Sequence, residues 1–181
     1  MLDWFVYPAL YAMLVSMTAL TSLALNLHDR RQPKSLSQLV TAELKFLRKF
    51  RNILLICGTL FSITMFGYVI PSFKWPLALL VVWSLAYLSN AAIAFTPAAD
   101  KTAFIHTKLA QLMAASFLAT AYLFAFGLSG FHAQIELTLA IGMSLLSILV
   151  VVDPRRFIVY ELSFIYLSHV SVLVASLALL G

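Results

Sequence analysis

Six long apolar stretches run along the chain, separated by short polar segments, at about residues 5–26, 52–70, 75–95, 102–126, 134–152 and 157–180. Each is close to the roughly 20 residues that cross a hydrocarbon layer as a helix. None alternates apolar and polar residues as a barrel strand does. The residues between them act as physical punctuation. Pro8 falls in the first turn of the first stretch, where a missing N–H costs nothing. Pro71 and Pro97 are expected to stop the second and third, Gly127 to Gly130 the fourth, and Asp153–Pro154 the fifth. The pattern predicts an all-α, polytopic integral membrane protein, a six-transmembrane-helix bundle forming a single domain over residues 1–181.

Residues 35–51, SLSQLVTAELKFLRKFR, do not fit a span. Leu36, Leu39, Val40, Leu44, Leu47 and Phe50 recur at helical spacing, with Lys45, Arg48, Lys49 and Arg51 among them. This predicts a basic interfacial amphipathic helix between the first two spans, with a solvated linker helix as the alternative. Each basic residue near anionic lipid contributes about 1 kcal/mol. Trp4, Tyr7, Tyr68, Phe73 and Trp75 are expected to form an aromatic belt at the opposite interface.

Composition narrows the class. The chain is 62% hydrophobic and 10% charged, against about 45–50% and 25% for soluble domains. A soluble globular fold and a disordered chain are both excluded. The net charge of +5 comes from 12 Lys and Arg against 7 Asp and Glu. It is better explained by where the cations sit than by nucleic-acid binding, and no nucleic-acid partner is expected. Arg30, Arg31, Lys34, Lys45, Arg48, Lys49, Arg51, Lys101, Lys108, Arg155 and Arg156 all fall in or beside the first, third and fifth connections. Lys74 alone lies on the other side. The positive-inside rule then places connections 1, 3 and 5 in the cytoplasm and both termini outside. Asp3, and the lack of a small-residue cleavage site, predict that the first stretch is a retained span and not a signal peptide.

Polar side chains inside spans are costly, so their placement is informative. Measured from the cytoplasmic ends, Cys57, Asn90, His106, Gln111 and Glu161 lie at about 9, 10, 5, 12 and 7 Å. Asn26 closes the first span. They predict a polar layer in the inner third of the bilayer, and only hydroxyls in the outer half. His169 is the exception, near mid-membrane. Glu161, Ser168, His169, Ser171 and Ser176 share one face of the last span, which should turn inward. Small-residue stripes suited to close packing run through Ala86, Asn90 and Ala94, and through Thr107, Gln111 and Ala115.

Asn90, His106, Gln111, Glu161 and His169 are therefore the candidate ligand-binding residues, and His106 and Glu161 could share a hydrogen bond. The alternatives are interhelical hydrogen bonds, a headgroup cap at His106, and pairing of Glu161 with Arg155 or Lys108. Cys57 reads as a packing residue. The single cysteine leaves no disulfide framework or cysteine-based metal site, and no HExxH, CxxC or phosphate-loop motif occurs. No two histidines match in depth as a haem pair would require, so no cofactor or metal is expected. No catalytic residue can be assigned.

The leading functional reading is a module that binds a lipid or amphiphile from the inner leaflet, with anionic lipid as partner. An intramembrane lipid-modifying enzyme using His106 and Glu161, a small transporter or proton-linked carrier using Glu161 and His169, and a site-less subunit of a membrane complex stay open. A homo- or hetero-oligomer is compatible with all of them.

The order of short motifs adds a resemblance. SLSQL precedes FRN at the second span, AIAFTPAAD ends the third, His106 opens the fourth, and FIVYEL opens the sixth. This resembles the six-helix prokaryotic membrane family known as domain of unknown function 998, itself distantly similar to Frag/DRAM/Sfk-type proteins associated with lipid handling. The resemblance implies motif positions at Ser37, Pro97, Asp100, His106 and Glu161, and a prokaryotic plasma membrane. Phe95-Thr96-Pro97 departs from the family's Phe-Pro, and SLSQL from its Ile-Ser-acid-Leu. The resemblance implies no specific activity.

Overall fold

A computed structural model of the chain describes residues 2–27, 35–99 and 101–180. Arg30, Arg31, Lys34 and Asp100, among the expected basic and motif positions, lie outside the described residues. The described residues form seven α-helices and no strand: α1 (Val6–Leu27), α2 (Leu36–Thr41), α3 (Leu44–Ser72), α4 (Pro76–Phe95), α5 (Ala103–Gly127), α6 (Gly130–Val152) and α7 (Phe157–Ala178). All but α2 are long and apolar enough to cross a membrane. A long apolar segment in lipid must satisfy its own backbone, and a helix does so within the segment. The outer surface fits that solvent. Leu14, Ile56, Leu77, Leu88, Ile148 and Val152 are all more than half exposed, an apolar belt that a soluble domain would bury. Among the described residues the chain thus carries six candidate membrane-spanning helices.

The six long helices run up and down and close into a ring. Each packs on the next in the order α1, α3, α4, α5, α6, α7; α7 packs back on α1, and α5 also touches α7. Fully buried alanines let the backbones approach: Ala9 and Ala12 on α1, Ala86 on α4, Ala121 on α5, Ala140 on α6 and Ala175 on α7. The stripe of Ala86, Asn90 and Ala94 is buried, as its spacing predicted. The other expected stripe is not, since Thr107, Gln111 and Ala115 are exposed on the outside of α5. The inward face of α5 is instead His106, Ser116, Thr120, Ala121 and Phe124.

The segment 35–51 is not one amphipathic helix. α2 ends at Thr41, Glu43 is extended (φ −132°, ψ 117°), and Leu44 begins the second span eight residues before Asn52. The break is tertiary in origin. Leu36 and Val40 are buried with Leu20, Leu23, Phe50 and Ile158 beneath the bundle, and one straight helix could not bury both Val40 and Phe50 there. Lys45, Arg48 and Lys49 remain exposed on the first turns of α3, and the Arg51 guanidinium sits 5.9 Å above the Phe95 ring.

At the other end of α3 the sequence expectation is also revised. Pro71 does not stop the helix at Ile70. It has no N–H for the Gly67 carbonyl, and the helix widens into a π turn over Met65–Val69, with the Ile70 N–H bonded to the Met65 carbonyl. The helix then runs on to Ser72. Two members of the expected aromatic belt turn inward, because Tyr68 and Phe73 are buried in the main core with Phe61, Trp83 and Phe124. Trp4, Tyr7 and Trp75 stay exposed.

Candidate functional site

Of the five candidate ligand-binding residues, Asn90 and His169 come together at one cavity, whereas His106, Gln111 and Glu161 are held apart on other partners. Glu161, at the start of α7, accepts a hydrogen bond from the Leu36 backbone N–H at 2.8 Å. That N–H is one of the unpaired donors at the N-terminus of α2. The same terminus carries a capping box, in which Ser35 Oγ accepts from the Gln38 N–H and Gln38 Oε1 accepts from the Ser35 N–H. Glu161 thus latches the first connection to the last span. His106 makes a different bond, from its Nδ1 to the Thr96 carbonyl oxygen. Thr102 Oγ1 donates to the Pro97 carbonyl beside it, so the turn from α4 to α5 is tied back on itself.

His106 and Glu161 therefore share no hydrogen bond. Gln111 is exposed and accepts from Lys108 Nζ at 3.3 Å. Asn90 points inward and donates from Nδ2 to the Leu54 carbonyl on α3 at 2.9 Å. A Cβ on Gly58 would land on that amide, so the bond depends on glycine there.

The polar feature the helices do assemble is central. A cavity of about 50 Å³ lies between α1, α3, α4, α5 and α7. Its polar side chains are Ser16, Ser62, Asn90 and His169, in a lining that is otherwise aromatic, aliphatic and Cys57. That volume admits water-sized contents. It is far below the about 300–1,000 Å³ of pockets for drug-sized ligands. Trp83 Nε1 donates to Ser62 Oγ at 3.2 Å. His169 is 8% exposed and stacks on Phe61, with ring centroids 4.5 Å apart. Its Nδ1 has no hydrogen-bond partner. A buried imidazole nitrogen left without a partner beside a cavity is costly, and a water or solute in the cavity would satisfy it.

Comparison with family models, with curated proteins and with solved structures finds no match.

One buried ionisable residue escaped the sequence reading. Glu136 on α6 is fully buried, and Ser171 Oγ on α7 donates to its Oε2 at 2.5 Å. The half of the bundle away from the basic residues thus holds more than hydroxyls. The residue was missed because the fifth span was expected to begin at Gln134, which puts Glu136 at the membrane edge. α6 begins at Gly130, where a positive φ of 61° turns the chain. Glu136 then lies about 9 Å along the axis, at 1.5 Å per residue. Glu136, Ala140 and Met143 are the buried residues of α6, spaced as one helix face, and this spacing was the available signal. Among the described residues, no three His, Cys, Asp or Glu side chains gather as a metal site.

Proposed function

We propose that the protein is a small proton-linked membrane carrier whose central site is the cavity around His169. The observation that carries this reading is a histidine more than nine-tenths buried, with an unpaired Nδ1, beside a water-sized cavity in the middle of six spans. Ionisable side chains inside a membrane mark proton and ion pathways, because burying them without a use is expensive. Asn90 and Ser16, on α4 and α1, give the cavity hydrogen-bonding groups on two other walls.

The decisive measurement is solid-state NMR of histidine-labelled protein in liposomes. His169 is expected to show contact with water and to change protonation as the pH is lowered, while His169→Leu loses the signal and the potential-driven proton flux into vesicles loaded with a pH-sensitive dye. A His169 that sees no water and does not titrate would sink the reading.

A second reading, binding of anionic lipid at one end of the bundle, is favoured by the exposed Lys45, Arg48 and Lys49 beside the exposed Leu44. Phospholipid retained at a fixed ratio through purification, and lost when the three cations become glutamine, supports it. These cations, together with the basic residues of the third and fifth connections (Lys101, Lys108, Arg155 and Arg156), support our proposal for orientation: connections 1, 3 and 5 in the cytoplasm of a prokaryotic plasma membrane, both termini outside. A C-terminal alkaline phosphatase fusion is expected to be active, and a C-terminal green-fluorescent fusion dark. The opposite pair of results refutes the orientation. The resemblance to the six-helix family belongs to the same proposal. What supports it is that its motif segments meet in pairs, the Ser35–Ser37 segment with Glu161 and the Thr96–Pro97 turn with His106.

A further inference from the structure

The His169 site leaves one buried acid unused, Glu136. Glu136 sits where α5, α6 and α7 meet. Ser171 lies about 10 Å from the Ala178 end of α7, and Thr120 about 10 Å from the Gly127 end of α5, the same level as Glu136 on α6. Two oxygens at this level are buried and unpartnered: Glu136 Oε1 and Thr120 Oγ1. The Ala175 backbone N–H is a second donor toward the carboxyl beside Ser171, and Oε1 has no hydrogen-bond partner.

No cation is paired with Glu136 among the described residues. Of the titratable groups on the helices packed against α6, His106 and Lys108 on α5 bond to Thr96 and Gln111, and Tyr122 pairs with Ser144. On α7, Tyr160 bonds to Asp153, Glu161 to Leu36, and Tyr166 to Thr21, while His169 stacks on Phe61. A fully buried carboxylate with no counter-charge would be an uncompensated ion, which Ser171 and the Ala175 backbone only partly offset and which breaks bundles. A carboxylic acid carrying its proton on Oε1 avoids that charge, and that oxygen is the unpartnered one.

His169 and Ser171 are two residues apart on α7. They flank the inward face of the helix, with the imidazole toward the cavity and the serine hydroxyl on Glu136. His169 lies about 14 Å from the Ala178 end, so Glu136 is nearer that end of the bundle.

We propose that Glu136 is a second proton-exchanging group, one that takes up and releases a proton on the side of His169 away from the basic residues. This rests on the carrier reading and adds its second station. The test uses the full chain in liposomes and the apolar reagent dicyclohexylcarbodiimide, which adds to a carboxylic acid across its C=N bond. Peptide mass mapping is expected to find one adduct, on Glu136, declining as the pH is raised and absent from Glu136→Gln. Glu161, bonded to the Leu36 N–H, serves as the internal comparison. An adduct on Glu161 with none on Glu136, or labelling of Glu136 that ignores pH, overturns the proposal.

Proton flux separates this inference from the reading beneath it. Glu136→Gln is expected to lose the flux and Glu136→Asp to recover part of it. Unchanged flux in Glu136→Gln overturns the second station and leaves His169 standing. Wild-type protein without flux removes the carrier reading, and the pH dependence of the adduct then still decides whether Glu136 exchanges a proton. Should Glu136→Gln fail to fold, labelling of the wild type and flux in Glu136→Asp decide the question.

Discussion

Gly58→Ala is expected to destabilise the bundle by about 1–3 kcal/mol, the usual cost of forcing a methyl into a filled contact. The new Cβ would clash with Asn90 Nδ2, which is hydrogen-bonded to the Leu54 carbonyl one turn earlier on α3. The amide would have to swing away, which breaks the bond between α3 and α4 and moves a wall of the central cavity. Asn90→Ala alone should lose about 0.6–1.7 kcal/mol, the range of hydrogen bonds between helices in membranes. In the double variant the methyl meets no amide, so the two losses should sum to more than the pair together. Thermal unfolding in detergent of the four proteins measures this. A neutral Gly58→Ala, or strict additivity, would show that the contact does not exist in the folded protein.

Removing the Glu161 carboxyl with Glu161→Ala should unlatch α2. Leaving a buried backbone donor without its acceptor costs about 1–3 kcal/mol. The loss here falls on a six-residue helix that has little stability of its own. Hydrogen exchange at Leu36 to Val40 should accelerate sharply, while the six spans keep their protection. Unchanged exchange there would mean that the capping box and the buried Leu36 and Val40 hold α2 without the latch. His106→Ala should act elsewhere, on the turn at Thr96 and Pro97. The His106 and Glu161 losses should add within about 0.5 kcal/mol, as independent sites do. Strong coupling between them would restore the shared site that their similar depth first implied.

The sites diverge from the sequence reading for identifiable reasons. Depth along a helix is readable from residue number, and His106 and Glu161 do lie near the same end. Their angular positions relative to neighbouring helices are not readable, and each found a backbone partner closer than the other. Gln111 was assigned to an inner face by its spacing from Thr107 and Ala115. α5 has a low amphipathic contrast because lipid is as apolar as the core, so period alone could not distinguish inside from outside. Glu136 was legible in part: it shares one helix face with Ala140 and Met143, but an error of four residues in the start of α6 put it at the membrane edge.

The sequence by itself determined the all-helical class, the six long apolar helices and most of their ends. These follow from local physics: the run length a bilayer demands, the missing N–H of proline, and the inward face of α7 that buries Ser168, His169, Ser171 and Ser176. Only the tertiary structure decided the rest. It closed the ring by packing α7 on α1, broke the segment 35–51 at Ala42–Glu43 so that two apolar faces could both be buried, and carried α3 past Pro71 through a π turn. It also left His169 beside a cavity and Glu136 against Ser171. Those outcomes depend on which helices become neighbours, and in a membrane that choice is made by close packing and hydrogen bonds between side chains far apart in the chain, which no local pattern records.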